Sequence, residues 1–193
     1  MRRAFEAAVL APNSSNSQTW NFTWVRSPEM KKKLAAVCLN QSAARTAQEL
    51  VVVTADPRMW RRSHAALLKW VDDAKAPSPV RLYYSVLLPT LYRTGFLNVF
   101  APIKWLVTFF AGLTRPVQRG PATLGDLQAV CVKSAALAAE NFVLAISAQG
   151  YGSCMMEGFD GWRLRKLLGL ARTERAVMVI ALGREGPRAF WGP

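Results

Sequence analysis

Two short apolar runs constrain this chain most: Leu50-Val51-Val52-Val53-Thr54 and Ala176-Val177-Met178-Val179-Ile180-Ala181-Leu182. Both are rich in β-branched residues and neither has a polar face, which predicts strands buried at the centre of a sheet. Between them, Asp126 to Gln149 carries the longest helical pattern, with Leu127, Val130, Ser134, Leu137, Asn141, Leu144 and Ala148 on one stripe and Gly150 at its stop. Its alanines lie on several sides, so this helix is expected to be packed all round. Trp20 to Val25 alternates as a further strand. Residues 2 to 10 read as the end of an amphipathic helix with Phe5, Val9 and the alanines on one side, stopped by Pro12. Ser27 caps a helix opened by Pro28, and Asp160 caps another over Trp162 to Leu168, ended by Gly169. Strands and helices mix without a regular βαβ alternation, which predicts an α+β fold, a mixed β-sheet wrapped by helices, rather than a doubly wound one. The segment from Gly150 to Met155 lacks the third glycine of a dinucleotide fingerprint and follows a helix, which argues against a Rossmann site.

At 193 residues and 51% hydrophobic, the chain is expected to form one domain spanning residues 1–193 with a proper core. Its net charge of +13 invites an anionic partner. The cations are scattered in small groups (Arg2-Arg3, Lys31-Lys32-Lys33, Arg61-Arg62, Arg163/Arg165/Lys166) without a basic arm or a nucleic-acid-binding signature, so they read as solvated helix faces and no nucleic-acid partner is expected. Cys38, Cys131 and Cys154 are too few and too far apart for a disulfide framework, which fits a reducing cytoplasm. With His64 as the single histidine, there is no zinc pattern and no Ser-His-Asp set, and no metal is expected; His64 reads as a surface or half-buried side chain. The apolar stretch after Arg3 is too short for a signal peptide. Phe96 to Leu113 is cut by Asn98, Pro102 and Lys104, well short of the roughly 20 residues a membrane span needs, so no transmembrane segment is expected.

Chemistry enters with a dense polar cluster, Pro12-Asn13-Ser14-Ser15-Asn16-Ser17-Gln18-Thr19-Trp20, set between a helix and a strand. Short amide and hydroxyl side chains held at a fixed place offer many hydrogen bonds to a polar, planar ligand, although such residues also simply make turns and caps. In a second segment, Gly150-Tyr151-Gly152-Ser153-Cys154-Met155-Met156-Glu157-Gly158-Phe159-Asp160, the last four residues read as a turn ahead of the helix capped by Asp160, and Met155-Met156 could equally be core filler.

Residues 11 to 20 resemble the "A-P-S-S-x-N-x-Q-P-W" signature of the FMN-dependent nitroreductase family, with Asn13 at the first Ser and Thr19 at the Pro. Residues 150 to 160 resemble that family's "G-x-G-x-x-x-x-E-G-F-D" turn, and Asn40-Gln41 followed by Leu50 to Thr54 resembles its "N-Q … A-x-x-V-V-V" element. The resemblance runs from about Phe5 to Gly183 and is weakest over 76–122. It implies a homodimer with FMN in a cleft at the interface, each flavin touching both subunits. Carried over, Pro12, Asn13, Ser14, Asn16 and Gln18 belong to the loop that contacts the flavin from the partner subunit. Gln41 and Arg45 face the ribityl or pyrimidine side, and Met155, Glu157 and Gly158 lie along the ring, with a backbone N–H of the Glu157-Gly158 turn toward flavin N5. No catalytic side chain is implied, because the flavin carries the chemistry. The implied activity is an oxidoreductase that takes hydride from NADH or NADPH and reduces nitroaromatic, quinone or similar planar acceptors. The alternative is a truncated relative that binds flavin or a partner without turnover.

Residues 76 to 122 hold Tyr83, Tyr84, Tyr92, Phe96, Phe100, Trp105, Phe109 and Phe110. This variable aromatic insertion could build a flat pocket for planar acceptors, pack a helical hairpin on the core, or adhere to a membrane surface through the apolar stretch near Arg93, Lys104 and Arg115. The family's "R-R-S-x-R" phosphate anchor has no counterpart, since the chain begins inside the first long helix and Arg2-Arg3 lie too close to the loop. Arg45, Arg184 and Arg188 are the substitutes, which predicts weak, salt-sensitive FMN binding.

Overall fold

A computed structural model describes residues 1–186, apart from the side chain of Phe96. Helix α1 (Arg2–Ala8) leads through a 3-10 turn at Ser14–Asn16 into β1 (Trp20–Val25), and α2 (Pro28–Val37) and α3 (Ser42–Thr46) precede β2 (Glu49–Ala55). The middle of the chain is helical: α4 (Trp60–Asp73), α5 (Ser78–Leu82), a π-helical turn, α6 (Leu88–Tyr92) and α7 (Ala101–Gly112). The long α8 (Leu124–Ser147), the strand β3 (Gly152–Met156), α9 (Gly161–Leu168) and β4 (Arg175–Gly183) follow.

The strands form one sheet in the order β1-β2-β4-β3, so the two apolar runs are its central strands, as expected. Every pairing is antiparallel; no parallel pair accompanies them among the described residues, where a mixed sheet was expected. Side chains alternate across the pleat, and this divides each run between two cores. Val51, Val53, Met178, Ile180 and Leu182 pack with α1 and α8 on one face. Leu50, Val52, Val179 and Ala181 pack with α2 and α9 on the other. Burial on both faces explains why neither run could carry a polar alternation, each Val, Ile or Leu adding about 1.5–3 kcal/mol.

Edge strand β3 lies in the segment expected to be a turn. Gly-Ser-Cys-Met-Met has no β-branched residue and only Met156 is buried, so backbone pairing to Gly183 through Val179 holds it. Helix α8 opens on a reciprocal cap: the Asp126 N–H donates to Thr123 Oγ1 at 3.1 Å, and the Thr123 and Ala122 N–H groups donate to Asp126 Oδ2 at 2.9 and 3.0 Å. Asp126 is thus the third helical residue and not the first. Its buried face is Leu127, Cys131, Ser134, Ala135, Ala138, Ala139, Phe142, Val143 and Ile146, where Ala138 and Ala139 sit in one cluster with Ala4 and Ala8 of α1. The expected stripe is rotated toward the face of Ala135, Ala138, Ala139 and Phe142. Leu137 is 47% and Leu144 57% exposed, so one chain does not pack α8 all round. Helix α1 likewise buries Ala4 and Ala8 while Val9 is exposed, its last turn tightened by Leu10 N–H to Ala7 O and Ala11 N–H to Ala8 O. The α2 cap is as expected, the Met30 N–H donating to Ser27 Oγ at 3.3 Å.

Asp56 ties the sheet to the loop that precedes β1. Its N–H donates to Thr19 O at 3.0 Å, while its carboxylate accepts from the Arg58 side chain and N–H and from Thr173 Oγ1. Burial raises this carboxyl, but the hydrogen bonds from Arg58 and Thr173 outweigh it and hold it below its ordinary value. A depressed folded-state value gives stability that is present above the unfolded carboxyl's pKa of about 3.9 and is lost as pH falls through the folded value. Asp56→Asn is expected to cost about 1–3 kcal/mol at neutral pH. Thermal melts across pH should show the gap between variant and wild type closing in acid.

Candidate functional site

The polar loop is a strained, tethered structure. Ser15, Asn16 and Gln18 take φ of 57°, 50° and 43°, a left-handed conformation costing roughly 1–2 kcal/mol for a residue with a Cβ, least for Asn. Tethers offset that cost. Asn13 Oδ1 accepts the Gln18 N–H at 2.9 Å and Asn13 Nδ2 donates to Ala11 O at 3.2 Å. Ser17 is buried and its hydroxyl donates to Ser14 O at 2.6 Å. From outside the loop, the Ser14 N–H donates to Ser134 Oγ of α8 at 3.4 Å, Tyr92 OH donates to Ser14 Oγ at 2.9 Å, and Ser15 Oγ and Tyr83 OH lie 2.6 Å apart. Pro12, Ser14, Asn16 and Gln18 remain exposed on the solvent side. Tyr83 and Tyr92 were expected only as aromatic mass; their hydroxyls, the one polar feature distinguishing them from the neighbouring phenylalanines, hold the loop.

The second group forms around Gln41. Leu39 and Asn40, at φ of 58° and 53°, turn the chain after α2 and deliver Gln41 as the cap of α3. Gln41 Nε2 donates to Cys38 O at 3.0 Å and to Gly158 O at 2.5 Å, joining segments 117 positions apart. A Cβ at Gly158 would meet Gln41 Nε2 at 3.0 Å, so any larger residue there would press on the Gln41 amide. The Gly158 N–H has no acceptor among the described residues and the residue is exposed. Glu157 is exposed beside it. The β3 pleat separates the two methionines: Met156 is core, while Met155 stands outward. Arg45 is exposed one turn beyond Gln41, its N–H donating to Gln41 O at 3.1 Å. Asp160 caps α9 as expected, its carboxyl held below its ordinary value by the Arg163 N–H and guanidinium, with the Trp162 N–H also donating.

A single chain does not unite these groups. The loop enters β1 and Gly158 follows β3, at opposite edges of the sheet, three strand spacings or roughly 14 Å apart. The cavity beside Asn16 and Gln18, about 660 Å³, is lined by Arg62, Ala66, Trp70 and Tyr84 and by neither Gln41 nor Gly158. Arg62, Ala66 and Trp70 fall at i, i+4 and i+8 on α4, a spacing that puts them on one wall and that could have marked Arg62 as more than a solvated cation. His64 is half-buried, its Nε2 2.6 Å from Tyr84 O, and has a structural part. Of the substitute cations, Arg184 is exposed with its guanidinium 5.7 Å from the Tyr151 ring centre, and Arg188 lies outside the described residues.

The chain is thus a helix-wrapped α+β sheet with a tethered polar loop at one edge and a glycine-backed amide turn at the other. The Nitroreductase family model matches residues 1–184, and the chain belongs to that family. It is 27% identical over 183 residues to Protein DrgA of Synechocystis, covering 95% of this chain and 71% of that protein. It is 24% identical over 181 residues to an oxygen-insensitive NADPH nitroreductase of Helicobacter pylori, covering 93% and 73%. Among solved structures, the FMN complex of a protein assigned as a nitroreductase from Exiguobacterium sibiricum shares the fold, with a TM-score of 0.67 and 22% identity, over all of this chain and 81% of that one.

Tyr92→Phe removes the tether to Ser14 and should accelerate amide hydrogen exchange at residues 13–18 while lowering global stability by about 0.5–1.5 kcal/mol. Exchange unchanged across the loop would contradict the tethering role.

Proposed function

We propose that this protein is an FMN-dependent oxidoreductase that takes hydride from NADH or NADPH and reduces nitroaromatic, quinone or similar planar acceptors, as a cytoplasmic homodimer. The observation that carries this reading is the Gln41–Gly158 junction, where a side-chain-free backbone whose N–H has no acceptor among the described residues sits beside a hydrogen-bonded side-chain amide. Family membership and the named activity of the Helicobacter pylori relative support it.

The residues fit a flavin. Exposed Gly158 presents an N–H with no acceptor among the described residues, and neutral amides and hydroxyls suit a polar ring edge. Gln41, Arg45, Met155, Glu157 and Gly158 would hold it from one subunit, and Pro12, Asn13, Ser14, Asn16 and Gln18 from the other. Bound FMN supplies hydride acceptance and electron delivery. The Gly158 N–H would serve as a donor that orients the ring, and Arg45 would add positive charge beside it. The outward Met155 offers an adaptable apolar contact. The strained loop keeps Asn16 presented at no further ordering cost when ligand arrives.

Absorbance spectra of the purified protein, before and after addition of FMN, are expected to carry flavin bands. Absence of those bands in both would sink the reading. Gly158→Ala, which drives a Cβ against Gln41, and Gln41→Ala are each expected to weaken FMN by about 0.5–1.5 kcal/mol, or roughly two- to tenfold. Titration of apoprotein with FMN measures this, and unchanged affinity in both variants would remove the junction from the site.

A further inference from the structure

Helix α7 is inside out. At about 100° per residue, Ala101, Lys104 and Thr108 face the protein: Ala101 is buried, Lys104 Nζ donates to Leu91 O at 2.6 Å and Pro121 O at 3.2 Å, and Thr108 Oγ1 donates to Lys104 O at 2.8 Å. Ile103, Trp105, Leu106, Val107, Phe109 and Phe110 are each 55–61% exposed, Trp105, Leu106 and Phe109 bordering an open groove with Arg119 and Asp126. They sweep an arc of about 200° around the helix. Leu97, Val99 and Leu113 extend the same exposed apolar surface at both ends. Such a surface is far larger than scattered exposed residues produce, and it marks an interaction site.

Charge identifies what covers it. Between Asp73 and Asp126 there is no acidic residue, while Lys75, Arg81, Arg93, Lys104, Arg115 and Arg119 are all cationic. Arg93, Arg115 and Arg119 are exposed around the ends of the apolar helix. A second copy of this segment would bring like charges together, and one partner helix covers a narrower seam than this arc. An anionic bilayer meets both features: acyl chains surround a broad apolar face, and headgroup phosphates take the cations. Twelve residues make about 18 Å of helix, too short to span roughly 30 Å of hydrocarbon but suited to lying in the interface, where Trp105 is also favoured.

We propose that α7 docks this protein on the surface of an anionic phospholipid membrane, with the Trp105–Phe110 face inserted and Arg93, Arg115 and Arg119 against the headgroups. This goes beyond the proposed redox activity and does not depend on it.

Co-sedimentation of the full chain with phosphatidylcholine vesicles, with and without phosphatidylglycerol, tests the proposal. The protein should bind the anionic vesicles at least about tenfold better than the neutral ones, and less well as salt rises. Phe109→Glu combined with Phe110→Glu should reduce binding at least about tenfold with the oligomeric state unchanged. If that double variant does not fold, brominated phospholipid should still quench tryptophan emission of the wild type, and Trp105→Phe should remove most of the quenching. The proposal is overturned by wild-type protein that ignores anionic vesicles, by a folded double variant that binds them equally, by quenching that Trp105→Phe leaves intact, or by a double variant that turns a dimer into a monomer, since the face would then belong to a second copy.

Discussion

The antiparallel pairing of β2 with β4 is the constraint on which everything else in this fold depends. Alternate side chains of these two strands feed opposite cores, so a slip of one residue would exchange the α1–α8 layer for the α2–α9 layer at every position. The same pairing places the outer strands. Ala55 lies opposite Trp20 on one side and Arg175 on the other, and Asp56 fixes Thr19 just beyond, so the polar loop is aimed from one edge. Val179 lies opposite Met156, which sends Glu157 and Gly158 out beyond the other edge. The candidate site is therefore built in two halves that a single sheet holds apart.

Each half carries backbone that ordinary folding would avoid. Ser15, Asn16 and Gln18 in one, and Leu39 and Asn40 in the other, occupy the left-handed region. Such conformations persist where surrounding contacts over-determine them, and they concentrate at ligand sites. Tyr92, Tyr83 and Ser134 supply those contacts for the loop, and α2 supplies them for the Gln41 turn, where the Asn40 N–H donates to Ala35 O at 2.9 Å. The aromatic insertion thus splits into two parts. Its first half, through Tyr92, serves the loop, whereas α7 turns its aromatics outward.

Much of this was legible in the sequence. The central strands announced themselves because burial on both faces demands unbroken apolar runs, and the caps at Ser27 and Asp160 because an unsatisfied helix N-terminus selects a few side chains. Edge strand β3 was not legible, since Gly-Ser-Cys-Met-Met is held by main-chain bonds that leave no residue pattern. The inward stripe of α8 was misjudged because alanines, which bring α1 and α8 together, outweigh the larger Leu137 and Leu144. The loop residues were recognisable as a motif, but Tyr83 and Tyr92, about 70 to 80 positions away, could be joined to it only by the fold.

The central claim is that the loop of one subunit completes the Gln41–Gly158 half of another, and subunit mixing tests it most directly. Asn16→Ala combined with Ser14→Ala should cripple the loop half, and Gln41→Ala combined with Gly158→Ala the other. When the two variants are unfolded together and refolded at equal ratio, half of the dimers are mixed and each mixed dimer regains one intact site. Tight FMN binding should then return to about one quarter of the wild-type number of sites. Recovery no greater than the average of the two variants measured separately would contradict the shared site and place both halves within one chain.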